Sequence, residues 1–364
     1  MTKLEPDMPP AAFAIPGDIA QLTGGFLYER HLLEALRRSG RAVTHVQLPA
    51  GFPDASAEEA AEARGTLTAL PAQTPVILDG LVFGSIEPTT LKAMRAPIIA
   101  MLHHPLGLET GLSAARARHL LAREAENLTL AAHVVVPSPH TAQILQTEFG
   151  VDPSRISIAL PGFERPAAIA TPRRRPPLIL SVGLLAARKG HDVLLQALAQ
   201  ITDLDWQAEI VGKAHDPAIA SALSAQRDAL GLDERVRFSG VLARPDLDQR
   251  YRAAHMFALA TRYEGYGMVF GEAMLHGLPI VTCHTGAVPD TVPEGAGLLV
   301  PTDTPEAFAQ ALRSVLSDPA QHRAMSHASA AAGARLPTWD DTAAVMGRVL
   351  DTVGAEHEDR RPSH

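Results

Sequence analysis

The sequence predicts an α/β protein made of two doubly wound domains joined near the middle of the chain. Short apolar runs alternate with longer stretches of helical periodicity along most of the 364 residues, the pattern of mainly parallel sheets covered on both faces. The alternation breaks at a proline- and arginine-rich segment and then restarts. The length also exceeds what one hydrophobic core ordinarily organises.

In the first half, strands are expected at residues 12–15, 42–48, 76–78, 98–102, 134–136 and 156–160, each a short run dominated by Ala, Val, Ile, Leu or Phe. Helical patterns lie between them at 26–38, with Gly40 as a stop, at 112–130 and at 141–149. The segment 164–177 carries Pro166, Pro172, Pro176 and Pro177 and the triplet Arg173, Arg174, Arg175, the composition of a linker. Beyond it, strands are expected at 178–182, 207–211, 236–238, 256–260, 280–282 and 298–300. Helices are expected at about 190–201, 217–230, 246–254, 268–276 and 305–317. The organisation is therefore read as a first domain over 1–165, a linker over 166–177 and a second domain over 178–335. A terminal helix over 336–354, free to cross to the first domain, precedes a flexible tail over 355–364.

Composition narrows the function classes. Hydrophobic content of 46% and charged content of 20% are those of a packed globular protein. A net charge of −8 argues against nucleic acid as a partner, because phosphate backbones are held by clustered Lys and Arg. The single Cys283 excludes an internal disulfide and fits a reducing compartment. The first ten residues contain acidic groups and prolines rather than an apolar leader, and no run approaches the ~20 apolar residues of a membrane span. A cytoplasmic protein is expected, with peripheral contact at the inner membrane face left open.

Two loops in the second half carry candidate chemistry. The stretch Gly183 to Gly190, GLLAARKG, lies between a strand and a helix. Glycine there lets backbone approach a ligand while Arg188 and Lys189 supply positive charge for an anion. Taken alone it reads rather as an ordinary solvated strand-to-helix turn with two surface cations. The second loop is more specific: Glu264 precedes the expected helix at 268–276, and Glu272 follows it by one turn within that helix, seven residues separating the two, with Gly265, Gly267 and Gly271 between them. Paired carboxylates can accept hydrogen bonds from vicinal hydroxyls of a ribose and a hexose, or act as the acid and base of a glycosidase.

Taken together, these motifs resemble the retaining nucleotide-sugar glycosyltransferases of family four, the group 1 glycosyltransferases. The residues that carry the resemblance are Val182 with Gly183, Lys189 with Gly190, Val236 with Phe238 and Gly240, Glu264 with Glu272, and Gly286 with Pro289, in the family's order. The resemblance is strong over 178–317 and weak in the first half. It implies the GT-B architecture, two doubly wound Rossmann-like domains facing across a cleft. By the same resemblance, Gly183, Arg188 and Lys189 would meet the donor diphosphate, Glu272 the ribose and Glu264 the donor sugar. The backbone of Gly267, Met268 and Val269 would lie near sugar and phosphate, and Val241 beside the base. Many members carry Arg directly after the first glycine, where this chain has Leu184; Arg188 is the expected replacement for that charge.

In the first half, Gly24 and Gly25 resemble the family's first glycine-rich loop, and His103 the histidine near the reacting sugar, with His104 as the fallback. The implied catalytic set is His103, Glu264 and Lys189, with no metal and no cofactor; no further ligand stands at metal-binding spacing from the histidine pair. The implied activity is transfer of a hexose from a nucleoside diphosphate sugar, with retention, to an unidentified glycan, lipid-linked or small-molecule hydroxyl acceptor. Polysaccharide biosynthesis is the implied setting. A nucleotide-sugar epimerase and a non-catalytic sugar-nucleotide-binding protein are the alternatives. Clusters at Arg37, Arg38 and Arg41 and at Arg116, Arg118 and Arg123 are read as solvated helix faces in preference to lipid or anion sites.

Overall fold

The computed structural model describes residues 8–109, 111–167, 174–214 and 216–359, so half of the expected linker and the last part of the expected tail lie outside the described residues. The chain divides into two compact units, residues 1–162 with 337–364, and residues 163–336.

The first unit runs β1 (Ala11–Pro16), α1 (Gly24–Arg38), β2 (Val43–Leu48), α2 (Ala57–Thr68), β3 (Val76–Asp79), α3 (Gly80–Phe83), α4 (Pro88–Ala93), β4 (Ile98–Met101), α5 (Ala114–Leu128), β5 (His133–Val136), α6 (Pro139–Thr147) and β6 (Ile156–Ile158). All pairings are parallel in the order β2-β1-β3-β4-β5-β6. The chain reverses its direction of travel across the sheet between β1 and β3, and the carboxyl ends of strands at such a switch point form a crevice.

The second unit repeats the plan with β7 (Leu178–Val182), α7 (His191–Ala199), β8 (Gln207–Val211), α8 (Pro217–Ala229), β9 (Val236–Phe238), α9 (Arg244–Ala253), β10 (Met256–Leu259), α10 (Met268–Leu275), β11 (Ile280–Cys283), α11 (Val288–Thr291), β12 (Gly297–Val300), α12 (Pro305–Ser317) and α13 (Pro319–Ala334). Its order is β12-β11-β10-β7-β8-β9, with the switch between β7 and β10. Alternate strand residues feed two cores: Ile179, Ile210, Ala258 and Val281 join one cluster, while Leu178, Leu180, Phe257, Leu259 and Ile280 join another. Burial on both faces explains why these strands are continuous apolar runs without polar alternation. Each fully buried Leu, Ile or Phe contributes about 1.5–3 kcal/mol.

The last helix, α14 (Trp339–Asp359), belongs to the first unit. Trp339 stacks on His31 at 5.0 Å and meets Tyr28 edge-on at 5.5 Å. Buried Arg41 pairs with Asp351 at 2.7 Å, and Arg38 with Asp340 at 2.9 Å. Arg37 donates to the backbone oxygen of Val43. Arg41, just after α1, is thus a buried tie to α14 rather than part of a solvated face, whereas the Arg38 pair stays exposed. Arg116 and Arg123 are likewise paired, with Asp54 and Glu87.

Several helices differ from expectation, and α2, α3, α4 and α11 were not expected at all. Helix α14 continues to Asp359, past the expected end at 354. Helix α1 begins at Gly24, so the glycine pair forms its first turn instead of the loop before it. Helix α13 was not foreseen because its Ala- and His-rich sequence shows little amphipathic contrast. Its start is nevertheless marked by Asp318, which accepts from the amides of Ala320 and Gln321 ahead of Pro319. The Ser56 and Glu59 capping box of α2 is a similar overlooked signal.

Candidate functional site

In the second unit, the loops after β7 and β10 converge because those strands are neighbours at the switch point. Lys189 ends a 3-10 turn, Ala187–Lys189, directly before Gly190. Gly190 adopts φ +62°, and a Cβ on it would fall 1.9 Å from the Ala260 oxygen. Only glycine allows this close approach, which brings the β7 loop against the end of β10. On a third loop, after β11, Gly286 does the same for Glu264: its φ is +51° and a Cβ would meet the Glu264 backbone oxygen at 2.4 Å. That oxygen accepts from Ala287 N at 2.9 Å.

These constraints join the predicted residues into one cluster. Lys189 Nζ donates to Glu264 Oε1 at 2.6 Å, Arg188 Nη1 stands 3.5 Å from Glu264 Oε2, and Thr261 Oγ1 lies 2.9 Å from Oε1. Arg188 also donates to the Tyr263 oxygen at 2.9 Å. Both Lys189 and Glu264 are buried. Burial acts to raise the Glu264 pKa, but Lys189 and then Arg188 outweigh it and hold this carboxyl below its ordinary range. Gly183 leaves room for the lysine stem, whose Cδ lies 3.4 Å from where its Cβ would be.

Gly267, at φ +84°, caps α10, and a Cβ there would strike the Phe270 ring at 2.6 Å. The amides of Gly267, Met268 and Val269 open the helix, where backbone donors have no intrahelical acceptor. Glu272 stands one turn inside α10, but its carboxylate is already engaged: it accepts from Arg244 and, at 2.8 Å, from the Tyr251 hydroxyl. Arg244 and Tyr251 had no motif to announce them; both lie on α9, which only the fold brings to α10. Val241 is half exposed, and Gly240, at φ +63°, has open space beside it.

The first unit holds Gly24, Gly25 and His103. Gly25 lies against the imidazole, 3.3 Å from its Cδ2 as measured from the position of an added Cβ, whereas Gly24 has no such neighbour. His104 pairs separately with Glu109 at 2.8 Å. The imidazole of His103 has companions that sequence spacing did not reveal: Glu29 from α1 and Asp79 at the end of β3, the nearest polar atoms of the three lying within 4.8 Å of one another. Burial pushes Glu29 up to about 7 and raises Asp79 well above its ordinary value. It lowers His103, against the pull of Asp79. A metal there would need both carboxyls ionised, yet burial favours their protonated forms. Among the described residues no helix is long and apolar enough to cross a membrane.

Residues 176–318 match the family model for glycosyl transferases group 1. A D-inositol 3-phosphate glycosyltransferase of Corynebacterium glutamicum is 30% identical over 251 residues, covering 64% of this chain and 60% of that protein. A mannosylfructose-phosphate synthase of Agrobacterium fabrum is 32% identical over 172 residues, covering 42% and 38%. The chain thus spans well under two thirds of the length of these curated relatives. Among solved structures, the sucrose-phosphate synthase of Thermosynechococcus elongatus superposes with a TM-score of 0.79 at 24% identity, covering 96% of this chain and all of that one. Anabaena HepE in complex with UDP-glucose gives 0.73 at 16%, covering 94% and 99%. The fold is that of the GT-B enzymes.

Proposed function

With a group 1 glycosyltransferase domain over residues 176–318 and the GT-B fold along the chain, we propose that this protein is a retaining glycosyltransferase. It moves a hexose from a nucleoside diphosphate sugar to a hydroxyl acceptor without a metal. The observation that carries the reading is the buried Lys189–Glu264 pair at the β7–β10 switch point, 2.6 Å apart, beside the first turn of α10.

The diphosphate is the leaving group, and its growing negative charge is the difficult part of the reaction. Lys189, Arg188 and the amides of Gly267, Met268 and Val269 oppose that charge, each well-placed donor contributing about 3 kcal/mol. Glu264 receives hydroxyls of the donor sugar and Glu272 those of the ribose. The acceptor hydroxyl attacks from the face the diphosphate leaves, through an oxocarbenium-like state, and a donor phosphate oxygen takes its proton. His103 is assigned to the reacting sugar.

The neighbour's complex with UDP-glucose makes uridine diphosphate sugars the first donors to test. The relatives' names make inositol 3-phosphate and sugar phosphates the first acceptors. Thermal-shift screening against nucleoside diphosphate sugars, followed by mass analysis of product and its anomeric configuration, tests the reading. Expected are stabilisation by one donor class and a glycosylated, retained product only when acceptor is present. Donor turnover without acceptor, or stabilisation by free nucleotides alone with no product, would overturn it.

A further inference from the structure

The cluster beneath His103 has a chemistry that burial and contact set. Glu29 is 1% exposed and Asp79 3%, and an unpaired buried carboxylate is costly to keep ionised. An oxygen of each carboxyl lies within 4.8 Å of the other, and two full negative charges that close in a buried site repel, so one of the two keeps a proton. Asp79 Oδ1 accepts the amides of Leu81 at 2.9 Å and Val82 at 3.3 Å, capping α3. Among the described residues neither oxygen of Glu29 has an N–H or hydroxyl donor at hydrogen-bond distance, and neither does Nε2 of His103 have a hydrogen-bond partner.

Among the described residues, the groups around the cluster leave His103 as the basic side chain that faces it. From α1, Tyr28 presents only its ring to the imidazole, edge-on at 5.2 Å, since its hydroxyl donates to the Ala159 oxygen at 2.8 Å. From α6, Thr141 donates to the backbone oxygen of His103. His104, next in the chain, is taken by Glu109. The one ion-pair contact of Glu29 among the described residues is His103 Nε2, at 3.7 Å from Oε1.

We propose that Glu29 and Asp79 form a buried acid pair sharing one proton, and that its single negative charge holds the Nε2–H of a neutral His103 imidazole. Glu29 and Asp79 are then positioning residues. With the proton on Nε2, the lone pair resides on Nδ1, the tautomer able to accept a hydrogen bond from a ligand hydroxyl. No proton leaves the cluster in this resting state. That the ligand is the reacting sugar rests on the transferase reading; the tautomer and the shared proton do not.

The test is histidine-selective ¹⁵N NMR of the full chain, with the His103 signal assigned from its loss in His103→Asn. Expected in the wild type is the Nε2–H tautomer. In the double variant Glu29→Gln, Asp79→Asn, which removes the pair's charge, the His103 titration midpoint should fall by roughly one pH unit. A wild-type Nδ1–H tautomer overturns the proposal, and does so even if the double variant folds poorly. An unmoved midpoint in the folded double variant also overturns it, as does a stoichiometric divalent cation in purified protein that Glu29→Gln removes. In a transferase assay, Glu29→Gln should lower kcat about tenfold with donor KM nearly unchanged and shift the pH profile, while Glu29→Asp partly restores kcat. Absence of transferase activity would remove the reaction but leave the NMR result standing.

Discussion

Lys189 and Glu264, drawn from the loops after two neighbouring strands, form a buried ion pair at 2.6 Å, so the two residues predicted to touch different parts of a donor are each other's partners before any donor arrives. Such a pair is preorganised: the lysine is buried and fixed by the carboxylate, and a phosphate oxygen need only share it.

Breaking the pair from either side leaves a buried charge. Lys189→Ala should cost about 3 kcal/mol or more of unfolding free energy, softened by Arg188 at 3.5 Å from the same carboxylate. It should also lower transfer about 100-fold or more. The double variant Lys189→Met with Glu264→Gln should be less destabilised than the sum of the two single changes. Urea unfolding of all three checks this; strict additivity would show that the pair is not coupled.

The pair also has a pH signature. Glu264 is held below its ordinary carboxyl value of 4.5, so its contribution is present above that value and lost as pH falls through the lower folded-state pKa. Acid unfolding followed by circular dichroism should therefore move to higher pH in Lys189→Ala. An unchanged acid midpoint would contradict the assignment.

Glu124 gives the opposite sign. Buried on α5 and accepting only the amide of Leu106 at 3.2 Å, it is raised by burial from 4.5 to about 8. The folded state keeps a proton that the unfolded chain has released, so stability falls as pH rises from 4.5 towards 8, by up to about 1.4 kcal/mol per pH unit. Glu124→Gln should flatten that decline, so that its Tm advantage over wild type is larger at pH 8 than at pH 5. Equal Tm differences at both would refute the buried, protonated state.

The glycines are predicted to separate sharply. Gly190→Ala places a Cβ on the Ala260 oxygen at a positive φ and should cost about 2–4 kcal/mol while displacing Lys189. Gly24→Ala meets nothing within 4 Å in the first turn of α1 and should be neutral or stabilising by up to ~1 kcal/mol. Denaturant midpoints decide between these outcomes.

Glu272→Ala should leave stability within about 1–2 kcal/mol, because its Arg244 partner is about half exposed. It should weaken donor binding about 10- to 100-fold, the typical worth of hydrogen bonds to a charged group. Calorimetry with the donor found in the thermal-shift screen measures it; unchanged donor affinity would remove Glu272 from the ribose.

Much of this molecule was legible in one dimension. The strands of both sheets lie within a few residues of the apolar runs that predicted them, because parallel strands buried on both faces leave a continuous apolar signature. The Lys189 and Glu264 loops were legible because glycines such as Gly190 and Gly267 mark where backbone must turn or approach closely. Helix α13 and the run of α14 to Asp359 were not, since low amphipathic contrast carries no periodic signal.

The order of elements, and with it the alternating α/β plan and the glycine-bracketed loops, is a local property that the sequence by itself determined. Only tertiary structure decided who meets whom. Glu29 on α1, Asp79 at the end of β3 and His103 after β4 are far apart in the chain and are neighbours because β1, β3 and β4 are adjacent in the sheet; Arg244 reaches Glu272 because α9 lies beside α10. Contacts of this kind depend on strand order and helix packing, long-range relations that leave no spacing in the sequence to be read.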